Sequence, residues 1–375
     1  MKFHAEKERL IHAVKAVTLV SVSTNPITSG ILITTNADGD ELVFYGTDRI
    51  HHIQKRIRDI DIQSPEEVVT GLLLLEILKH LSGDTVHFES DGKHLLISCG
   101  TAKYDLLTRP VESFPRHVIL FPEDTIKITG IRSLAKRTAY AASNNSNQPV
   151  AMQGVVLNCS ADRTQAVASD GARISIAELQ QIADGSINTV ILHKKALSVL
   201  SAIVKPDEEL YLGIRDGHVV LFNQEMVYAA PLIPGTGVNP DQIIRHLNPV
   251  FSAKADAKQL YHALKLVCGY LRPGDDQCVN IGIQNDSIAL STKSQLGRSQ
   301  TSIQATDTKP CPESGFNYIP QYLMDYLARA VGPVSLSIDG QGLLLMEANQ
   351  NKYVVTPRTA VKIRTTEKKK IKNAA

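Results

Sequence analysis

Two pairs of side chains in the sequence could do acid–base or metal chemistry. His51-His52 lies in an apparent strand beside charged residues, without an acid or a Cys at metal-ligand spacing. Asp275-Asp276 lies in a Gly-containing turn, where solvated carboxylates are usual. The sequence also lacks a GxxxxGK phosphate-binding loop, an HExxH metal motif and a GxSxG nucleophile motif. We therefore predict a protein that is not an enzyme and that uses no metal or other cofactor.

Basic side chains are concentrated at the C-terminus. The chain has a formal net charge of +2, yet residues 358–375 contain seven Lys or Arg and one Glu, which leaves residues 1–357 with a net charge of −4. A terminal block of like charge is normally solvated, so we expect a basic tail over residues 360–375. Such a tail either contacts phosphate groups or an acidic partner, or is an inert extension.

The bulk composition limits the class of protein. A length of 375 residues predicts two or three domains, and a hydrophobic content of 43% without any Trp predicts cores of Leu, Ile, Val and Ala. No stretch approaches the roughly 18 apolar residues of a membrane helix, and the first residues lack the apolar core of a signal peptide. The five Cys residues form no CxxC pair. We expect a reduced, cytoplasmic protein that does not contact the membrane.

Three hairpin signals divide the sequence at nearly equal intervals. Asp-Gly pairs stand between alternating apolar runs at residues 91–92, 216–217 and 339–340, and their Asp residues are 125 and 123 positions apart. Because Asp-Gly suits the positive φ angles of a type I′ turn, each pair predicts a β-hairpin of that type.

The surroundings of the hairpins repeat as well. A helix-like stretch precedes each hairpin, at residues 71–81, 194–204 and 320–331. A third strand with a Tyr follows each one, and the three tyrosines are Tyr104, Tyr228 and Tyr353. Each third of the chain also opens with an amphipathic helix, in which matching places are taken by Leu10, Leu134 and Leu260. We interpret the chain as three copies of one α+β domain, each with two helices and about eight strands. The expected domains are residues 1–122, 123–248 and 249–359, followed by the tail.

Four segments stand on this repeat in an order typical of one family. They are Met1-Lys2-Phe3, Tyr104-Asp105-Leu106 leading into Ser113-Phe114-Pro115, Val167-Ala168-Ser169-Asp170-Gly171-Ala172-Arg173-Ile174, and Tyr353-Val354-Val355-Thr356-Pro357. From Met1 to about Pro357 the chain resembles the bacterial DNA sliding clamp, the beta subunit of DNA polymerase III. The resemblance implies a head-to-tail homodimer in which six domains close a ring, with helices lining the hole.

The resemblance also implies that the ring holds duplex DNA without reading its sequence, through a few contacts to phosphate. We expect basic residues on the helices that line the hole to make these contacts. The candidates are Lys15, Lys79, Arg132, Lys136, Arg137, Lys194, Lys195, Lys258, Lys265 and Arg329. The alternative for each is an ordinary solvated charge on a helix.

A partner pocket and a ring interface are implied by the same resemblance. The family's pocket lies between the second and third domains and takes short motifs of polymerase subunits, the clamp loader and other clamp-binding proteins. Carried over by position, its residues are Met152, Ser169, Gly171, Ala172, Arg173, Ile174, Pro240, Tyr322, Val354, Val355, Thr356 and Pro357. The alternative is that Met152, Ile174 and Val354 are plain core residues.

The ring interface should pair the strand of Tyr104 and Leu106 with the partner's region of Val267, Tyr270 and Leu271 and the strand that follows it.

The chain departs from the family pattern at several places. Ser23-Thr24 stands where the family often has arginine, Ala172 replaces a frequent histidine, and the chain continues beyond Pro357 to Ala375. These departures leave two further hypotheses open. One is a specialised clamp of a mobile element or of repair, and the other is a scaffold with the clamp fold that does not encircle DNA.

Overall fold

The structure is a computed structural model that describes residues 1–21, 28–36, 38–160, 163–180, 189–272 and 277–358. Ser23-Thr24, Asp275-Asp276 and the basic tail therefore lie outside the described residues. The chain forms two compact units: unit 1 is Met1–Pro240, and unit 2 begins at Asp241. None of the helices in the described ranges combines the length and the apolar composition that a membrane crossing requires.

The first repeat occupies the N-terminal half of unit 1. Its helices are α1 (Lys7–Ser21) and α2 (Leu73–His80). Its strands are β1 (Lys2–Glu6), β2 (Gly30–Thr35), β3 (Leu42–Thr47), β4 (His52–Ile57), β5 (Ile62–Ser64), β6 (Val68–Gly71), β7 (Thr85–Ser90), β8 (His94–Cys99) and β9 (Ala102–Leu107).

The second repeat completes unit 1. Its helices are α3 (Ile131–Thr138) and α4 (Lys194–Ile203). Its strands are β10 (Thr125–Ile128), β11 (Gly154–Cys159), β12 (Arg163–Ser169), β13 (Arg173–Gln180), β14 (Val190–His193), β15 (Leu210–Arg215), β16 (His218–Phe222) and β17 (Met226–Pro231).

Unit 2 contains the third repeat, preceded by a short helix. The helices are α5 (Pro240–His246), α6 (Ala257–Cys268) and α7 (Pro320–Leu327). The strands are β18 (Pro249–Asp256), β19 (Val279–Gln284), β20 (Ser287–Ser294), β21 (Gly297–Gln304), β22 (Thr306–Lys309), β23 (Phe316–Tyr318), β24 (Pro333–Asp339), β25 (Leu344–Ala348) and β26 (Asn351–Val355).

The strands pair antiparallel throughout the described sheets. Unit 1 contains a sheet in the order β5-β1-β7-β8-β9, a second in the order β10-β15-β16-β17-β4-β3-β2-β6, and the series β14-β11-β12-β13. Unit 2 contains the series β26-β25-β24-β18-β22 and a sheet in the order β21-β20-β19-β23. The predicted α+β class is confirmed, and the leucines predicted on the inner faces of the opening helices (Leu10, Leu134 and Leu260) are buried.

The three Asp-Gly hairpins are present, but only the middle one has the predicted turn. Asp216 and Gly217 both have positive φ angles, of 47° and 73°, and the pairing of Arg215 with His218 leaves these two residues as the turn. In the first hairpin Ser90 pairs with Leu95, and in the third Ile338 pairs with Leu344, so both turns are longer. There the Asp side chain accepts hydrogen bonds from main-chain N–H groups two to four residues ahead, which stabilises the wider turn.

Unit 1 contains two repeats because a strand of each repeat pairs across their junction. β4 and β17 are antiparallel neighbours, with Met226 opposite Lys55 and Ala229 opposite His52. The main-chain hydrogen bonds of this pair extend one sheet over both repeats. The structure therefore joins the first two predicted domains in one compact body that ends at Pro240.

The segment between the repeats, residues 111–124, lies across one face of this sheet, and we call it the strap. Phe114 packs against Leu32, Tyr45 and Val69 of the first repeat. Ile119 packs against buried residues of β16 and β17 in the second repeat. Farther along, the strap crosses Gly213, where an added Cβ would lie 2.5 Å from the Cβ of Pro122. The opposite face of the sheet is covered by α1, which packs closely on Gly46.

Three histidines, from the strap, β4 and β16, lie close together where the strap crosses the sheet. The ring of His117, in the strap, lies 4.4 Å from that of His52 and 4.9 Å from that of His218. His52 Nδ1 hydrogen-bonds with the hydroxyls of Tyr45 and Thr47, each at 2.9 Å. The neighbouring His51 hydrogen-bonds through Nδ1 with the buried hydroxyl of Tyr228 at 2.7 Å. These hydrogen bonds explain how the polar pair His51-His52 is accommodated in the junction.

Burial lowers the pKa of His51 and of His52 to about 4, because removal from water disfavours the imidazolium form. Both rings are therefore neutral in the folded protein near pH 7. In the unfolded chain they titrate near 6.5, so between these values the unfolded state binds more protons than the folded state. Stability contributed by the neutral rings is complete above about pH 6.5 and is lost as the pH falls towards 4.

We predict that the free energy of unfolding decreases between pH 7 and pH 5, by at most about 2 kcal/mol for each of these histidines. Urea unfolding at the two pH values measures the change. His51→Gln keeps a hydrogen-bond acceptor for Tyr228 and should reduce the pH dependence, whereas His246→Gln, at an exposed position, should leave it unaltered. Equal pH dependence in His51→Gln and the unmodified protein would contradict the assignment.

Candidate functional sites

A mainly apolar cleft of about 250 Å³ lies on unit 1, beside β11 and β12. It is lined by Pro149, Ala151, Met152, Gly154, Val156, Val167, Ser169, Thr236, Gly237 and Val238. The residues come from the turn before β11, from β11 and β12, and from the loop after β17. A cleft of this kind can accept an apolar side chain of a ligand.

The loop after β17 forms one wall of the cleft because it approaches β11 very closely. A Cβ on Gly237 would lie only 2.1 Å from a methyl carbon of Val156, so no larger residue fits without movement. The start of the loop is fixed by main-chain hydrogen bonds from Leu232 to Gly217 and from Ile233 to Ile191. The cleft therefore has a preformed wall.

Met152 lies in the turn of residues 150–153, before β11, and is half-buried. Its main-chain N–H donates to Pro149 at 2.8 Å, and its carbonyl accepts from Ser143 at 2.8 Å. Ser169, on the other side of the cleft, donates its hydroxyl to the carbonyl of Arg173 at 2.8 Å. The backbone of Met152 is thus fixed, while its thioether side chain lines the cleft and can adapt to a ligand.

The predicted segment from Ser169 to Ile174 spans the end of β12, the hairpin turn and the start of β13. Asp170 accepts hydrogen bonds from the main-chain N–H groups of Ala172 and Arg173, and its second oxygen accepts from Arg173 Nε at 2.8 Å. The Arg173 guanidinium also donates to the carbonyl of Tyr140 at 2.9 Å. Arg173 and Ile174 are both buried. Of this segment, only Ser169 lines the cleft. The others, with Gly171 at a φ of 90°, build the turn beside it.

The remaining predicted pocket residues lie at or beyond the end of unit 1. Pro240 is buried at the start of α5. Within unit 2, Val354 and Val355 are buried in β26, opposite Leu345 and Leu344. Thr356 is exposed and Pro357 half-buried after this strand, and Tyr322 is half-buried in the first turn of α7.

Sequence reasoning missed most of the cleft lining. The missed residues are Pro149, Ala151, Gly154, Val156, Val167, Thr236, Gly237 and Val238. The segment Pro234-Gly235-Thr236-Gly237 carried a usable signal, since two Gly residues in a short loop indicate close approach of the backbone to a neighbour. The valines gave no such signal, because a strand valine that lines a cleft has the same local pattern as one in a core.

The helices of unit 1 pack in the order α2-α1-α4-α3, and in unit 2 α6 packs on α7. Six of the ten predicted DNA-contacting residues are exposed, namely Lys15, Lys79, Lys136, Lys258, Lys265 and Arg329. Lys79 pairs with Glu76 one turn earlier, and the Lys265 ammonium lies over the ring of Tyr261. Arg329 was predicted on a helix, but α7 ends at Leu327, because the N–H of Ala330 is shared between the carbonyls of Tyr326 and Leu327 in a tightened last turn.

The other four predicted cations are half-buried and donate to acceptors of the protein itself. The contacts are Arg132 to the carbonyl of Val204 (3.2 Å), Arg137 to that of Glu178 (3.1 Å), Lys194 to that of Ser143 (2.5 Å) and Lys195 to the carboxylate of Asp48 (2.5 Å). Burial lowers the pKa of Arg137 and of Lys194. The exposed lysines are therefore the better candidates for contacts to an external anion.

The predicted interface strand β9 lies at an edge of its sheet. Tyr104 is 37% exposed, Leu106 is half-buried and the adjacent Leu107 is 76% exposed. The prediction for the opposite surface needs correction: β19, the strand after Leu271, lies between β20 and β23, and β21 occupies the edge. Val267 is buried on the inner face of α6, and Tyr270 donates its hydroxyl to the carbonyl of Gly297 at the start of β21. Secondary structure follows local pattern, whereas edge position depends on the order of strands in the sheet.

Across the described ranges, no cluster of three or more His, Cys, Asp or Glu side chains has the geometry to hold a metal ion. The arrangement that is present offers an apolar cleft, exposed cations on packed helices and two sheet edges. Features of these kinds are suited to an apolar peptide side chain, to phosphate groups and to a further strand, respectively.

Comparison with known proteins gives consistent matches. The sequence profile of the DNA polymerase III beta subunit N-terminal domain matches residues 1–118, and that of the central domain matches residues 125–237. The Beta sliding clamp of Bacillus subtilis (strain 168) is 25% identical over 350 residues, which cover 87% of this chain and 90% of the relative. That of Staphylococcus aureus is 25% identical over 322 residues, covering 81% and 83%.

Two solved structures show the same fold. The DNA polymerase sliding clamp from Bacillus subtilis has a TM-score of 0.84 at 21% identity, and the DNA polymerase III beta subunit from Thermotoga maritima has a TM-score of 0.85 at 16% identity. Each comparison covers 96% of this chain and 100% of the other.

We predict that Gly237→Ala disturbs the cleft and lowers the free energy of unfolding by about 1–3 kcal/mol, because the added Cβ overlaps Val156. Urea unfolding measures the loss. Gly71→Ala is the matched control, since an added Cβ at Gly71 meets no atom within 4 Å. Similar stability of the two variants would show that the loop is not held against β11.

Proposed function

The chain belongs to the DNA polymerase III beta subunit family, the beta sliding clamps, and on that premise we propose that it encircles duplex DNA as a closed ring and tethers a polymerase to it. The observation that carries the proposal is the row of packed helices α2-α1-α4-α3, which presents exposed lysines and is backed by continuous sheets. The protein is itself non-catalytic and acts in the cytoplasm.

A ring holds DNA by enclosing it, so it needs only weak contacts. Exposed cations such as Lys15 and Lys136 on the unit 1 helices can reach phosphate groups of any sequence. Each neutralised phosphate releases counterions, and the affinity therefore falls steeply with salt. Few contacts of this type hold the duplex centred without stopping movement along it.

Ring closure requires two copies, because each chain supplies three of the six clamp domains, residues 1–122, 123–248 and 249–359. We place the subunit interface between β9 of one copy and β21 of the other. Both strands lie at sheet edges, and apolar side chains flank them: Leu107 on β9 is 76% exposed, and Leu296, just before β21, is 80% exposed. Pairing of the two edges would extend a sheet between subunits and cover these leucines.

The unit 1 cleft is the site for a short segment of a partner, either a polymerase subunit, the clamp loader or another clamp-binding protein. Its apolar lining suits an anchoring side chain, and Ser169 already satisfies its own hydroxyl, so the ligand need not supply a partner for it. The roles of Tyr322, Val354, Val355, Thr356 and Pro357 in unit 2 stay predictions from the family resemblance.

Topological retention tests the proposed function. Protein loaded on a nicked circular duplex should remain bound in buffer of moderate salt and should be released when the circle is linearised, because a ring leaves DNA only over an end. Gel filtration of labelled protein with each DNA measures retention. Equal retention on circular and linear DNA, or none on either, would favour a scaffold with the clamp fold that does not encircle DNA.

We predict a homodimer near twice 41.0 kDa, and we expect Leu107→Asp to convert it to monomer by placing a charge at an apolar edge. Sedimentation velocity at micromolar concentration measures the mass. Leu120→Asp is the control, since Leu120 is also exposed but lies in the strap. A monomeric unmodified protein, or a dimer that survives Leu107→Asp, would contradict the interface.

We predict that Met152→Asp weakens binding of a polymerase-derived peptide by at least roughly 30-fold, because an unpaired carboxylate buried by the ligand costs at least ~2 kcal/mol. Fluorescence anisotropy of a labelled peptide gives the dissociation constant. Val150→Asp is the control, since Val150 is 55% exposed in the same turn but does not line the cleft. The cleft assignment fails if the two variants bind alike while both remain folded.

A further inference from the structure

The carboxylate of Asp48 is fixed at the junction of the two repeats of unit 1. Asp48 follows β3, and its Oδ1 accepts hydrogen bonds from the main-chain N–H groups of Ile50 at 3.0 Å and His51 at 2.6 Å. These bonds leave Oδ2 directed away from the turn, where it accepts the ammonium of Lys195 at 2.5 Å. The Asp48 side chain is only 12% exposed. The turn therefore holds its anion in one place.

Lys195 belongs to the second repeat and lies in the first turn of α4, in the middle of the helix row. Its main-chain N–H donates to His193 Nδ1 at 3.2 Å, which fixes the start of the helix. The side chain of Lys195 is 42% exposed, so it reaches the protein surface although Asp48 holds its ammonium.

The ion pair is well placed to persist at neutral pH. Burial alone would raise the pKa of Asp48, but the hydrogen bonds from Lys195 and from the main chain of His51 outweigh it and hold this pKa below its ordinary value. The pair of Lys79 with Glu76 is different, because both side chains are about half exposed and both must be ordered to form it. Asp48 is already ordered by its turn, so only Lys195 loses freedom on pairing.

We propose that Asp48 is a positioning residue of the DNA-binding surface, which holds Lys195 at the repeat junction and thereby withholds its charge from DNA phosphate. The inference rests on the proposed function, because it assumes that the helix row faces DNA. The Asp48 carboxylate, held 2.5 Å from the Lys195 ammonium, competes for that ammonium with every DNA phosphate that passes it. The ring then engages one phosphate fewer than its helices could reach, and the hold on DNA is correspondingly weaker.

Four variants of the full-length protein test this assignment. Asp48→Asn keeps Oδ1 as acceptor for Ile50 and His51 but removes the charge that holds Lys195. Lys195→Gln removes the withheld cation, and a double variant carries both changes. Lys15→Gln is the matched control, since Lys15 is exposed on α1 in the same helix row. The measurement is the dissociation constant for a short fluorescent duplex of mixed sequence, by anisotropy, over a series of low-salt buffers.

The slope of log affinity against log salt separates the outcomes. Asp48→Asn should bind several-fold tighter, with a slope steeper by about 0.9, as one additional phosphate contact gives. Lys195→Gln alone should leave the slope unaltered, the double variant should cancel the gain, and Lys15→Gln should reduce the slope by about 0.9. A purely structural role of Asp48 would alter the melting temperature without altering the slope.

A slope of Asp48→Asn equal to that of the unmodified protein overturns the proposal, and so does a lower slope in Lys195→Gln. The second result also decides the question if Asp48→Asn fails to fold. Absence of salt-dependent binding in the unmodified protein would overturn this inference alone, because the proposed function is tested separately by retention on circular DNA.

Discussion

The antiparallel pairing of β4 with β17 determines how the first two repeats are arranged. Its hydrogen bonds fix the register of one repeat against the other, so every element attached to those strands is positioned as well. On one face the pairing aligns α1 beside α4 and completes the helix row. On the other it creates a continuous surface for the strap. The contact of Asp48 with Lys195 also depends on it, because the two residues belong to different repeats.

The junction between the two repeats contains buried polar side chains, and its stability therefore depends on their protonation. His51 and His52 are buried at the paired strands, and Nδ1 of each ring hydrogen-bonds with a tyrosine hydroxyl, which lowers the cost of burying it. Since both rings are held neutral, the strand pairing is coupled to pH through them. An apolar junction would lack this coupling, but it would also lose the directional bonds that help to fix one register.

Features that depend on local pattern could be predicted from the sequence. The threefold repeat, the positions of the helices and the buried Leu10, Leu134 and Leu260 follow from periodicity within short segments. Features that depend on distant partners could not. The edge position of β21 is a property of strand order, and the wall at Gly237 depends on Val156, about 80 residues earlier in the chain. The histidines of the junction come from separate elements, so the sequence showed only the adjacent pair.

The basic residues also show that local sequence pattern does not reveal which side chains bond to distant parts of the protein, and here the difference matters for DNA binding. A Lys or Arg on a predicted helix has the same sequence signal whether it faces solvent or bonds to the protein. The structure divides the candidates: Lys15 and Lys258 are exposed, whereas Arg137, Lys194 and Lys195 are half-buried and donate to internal acceptors. A protein that must move along DNA benefits from this division, since each further phosphate contact strengthens the hold and must be broken at every step. Because internal acceptors hold part of the basic side chains, only a few of the cations on the helices are available to bind phosphate strongly. An open DNA-binding surface with so few contacts would release DNA, whereas a closed ring would retain it.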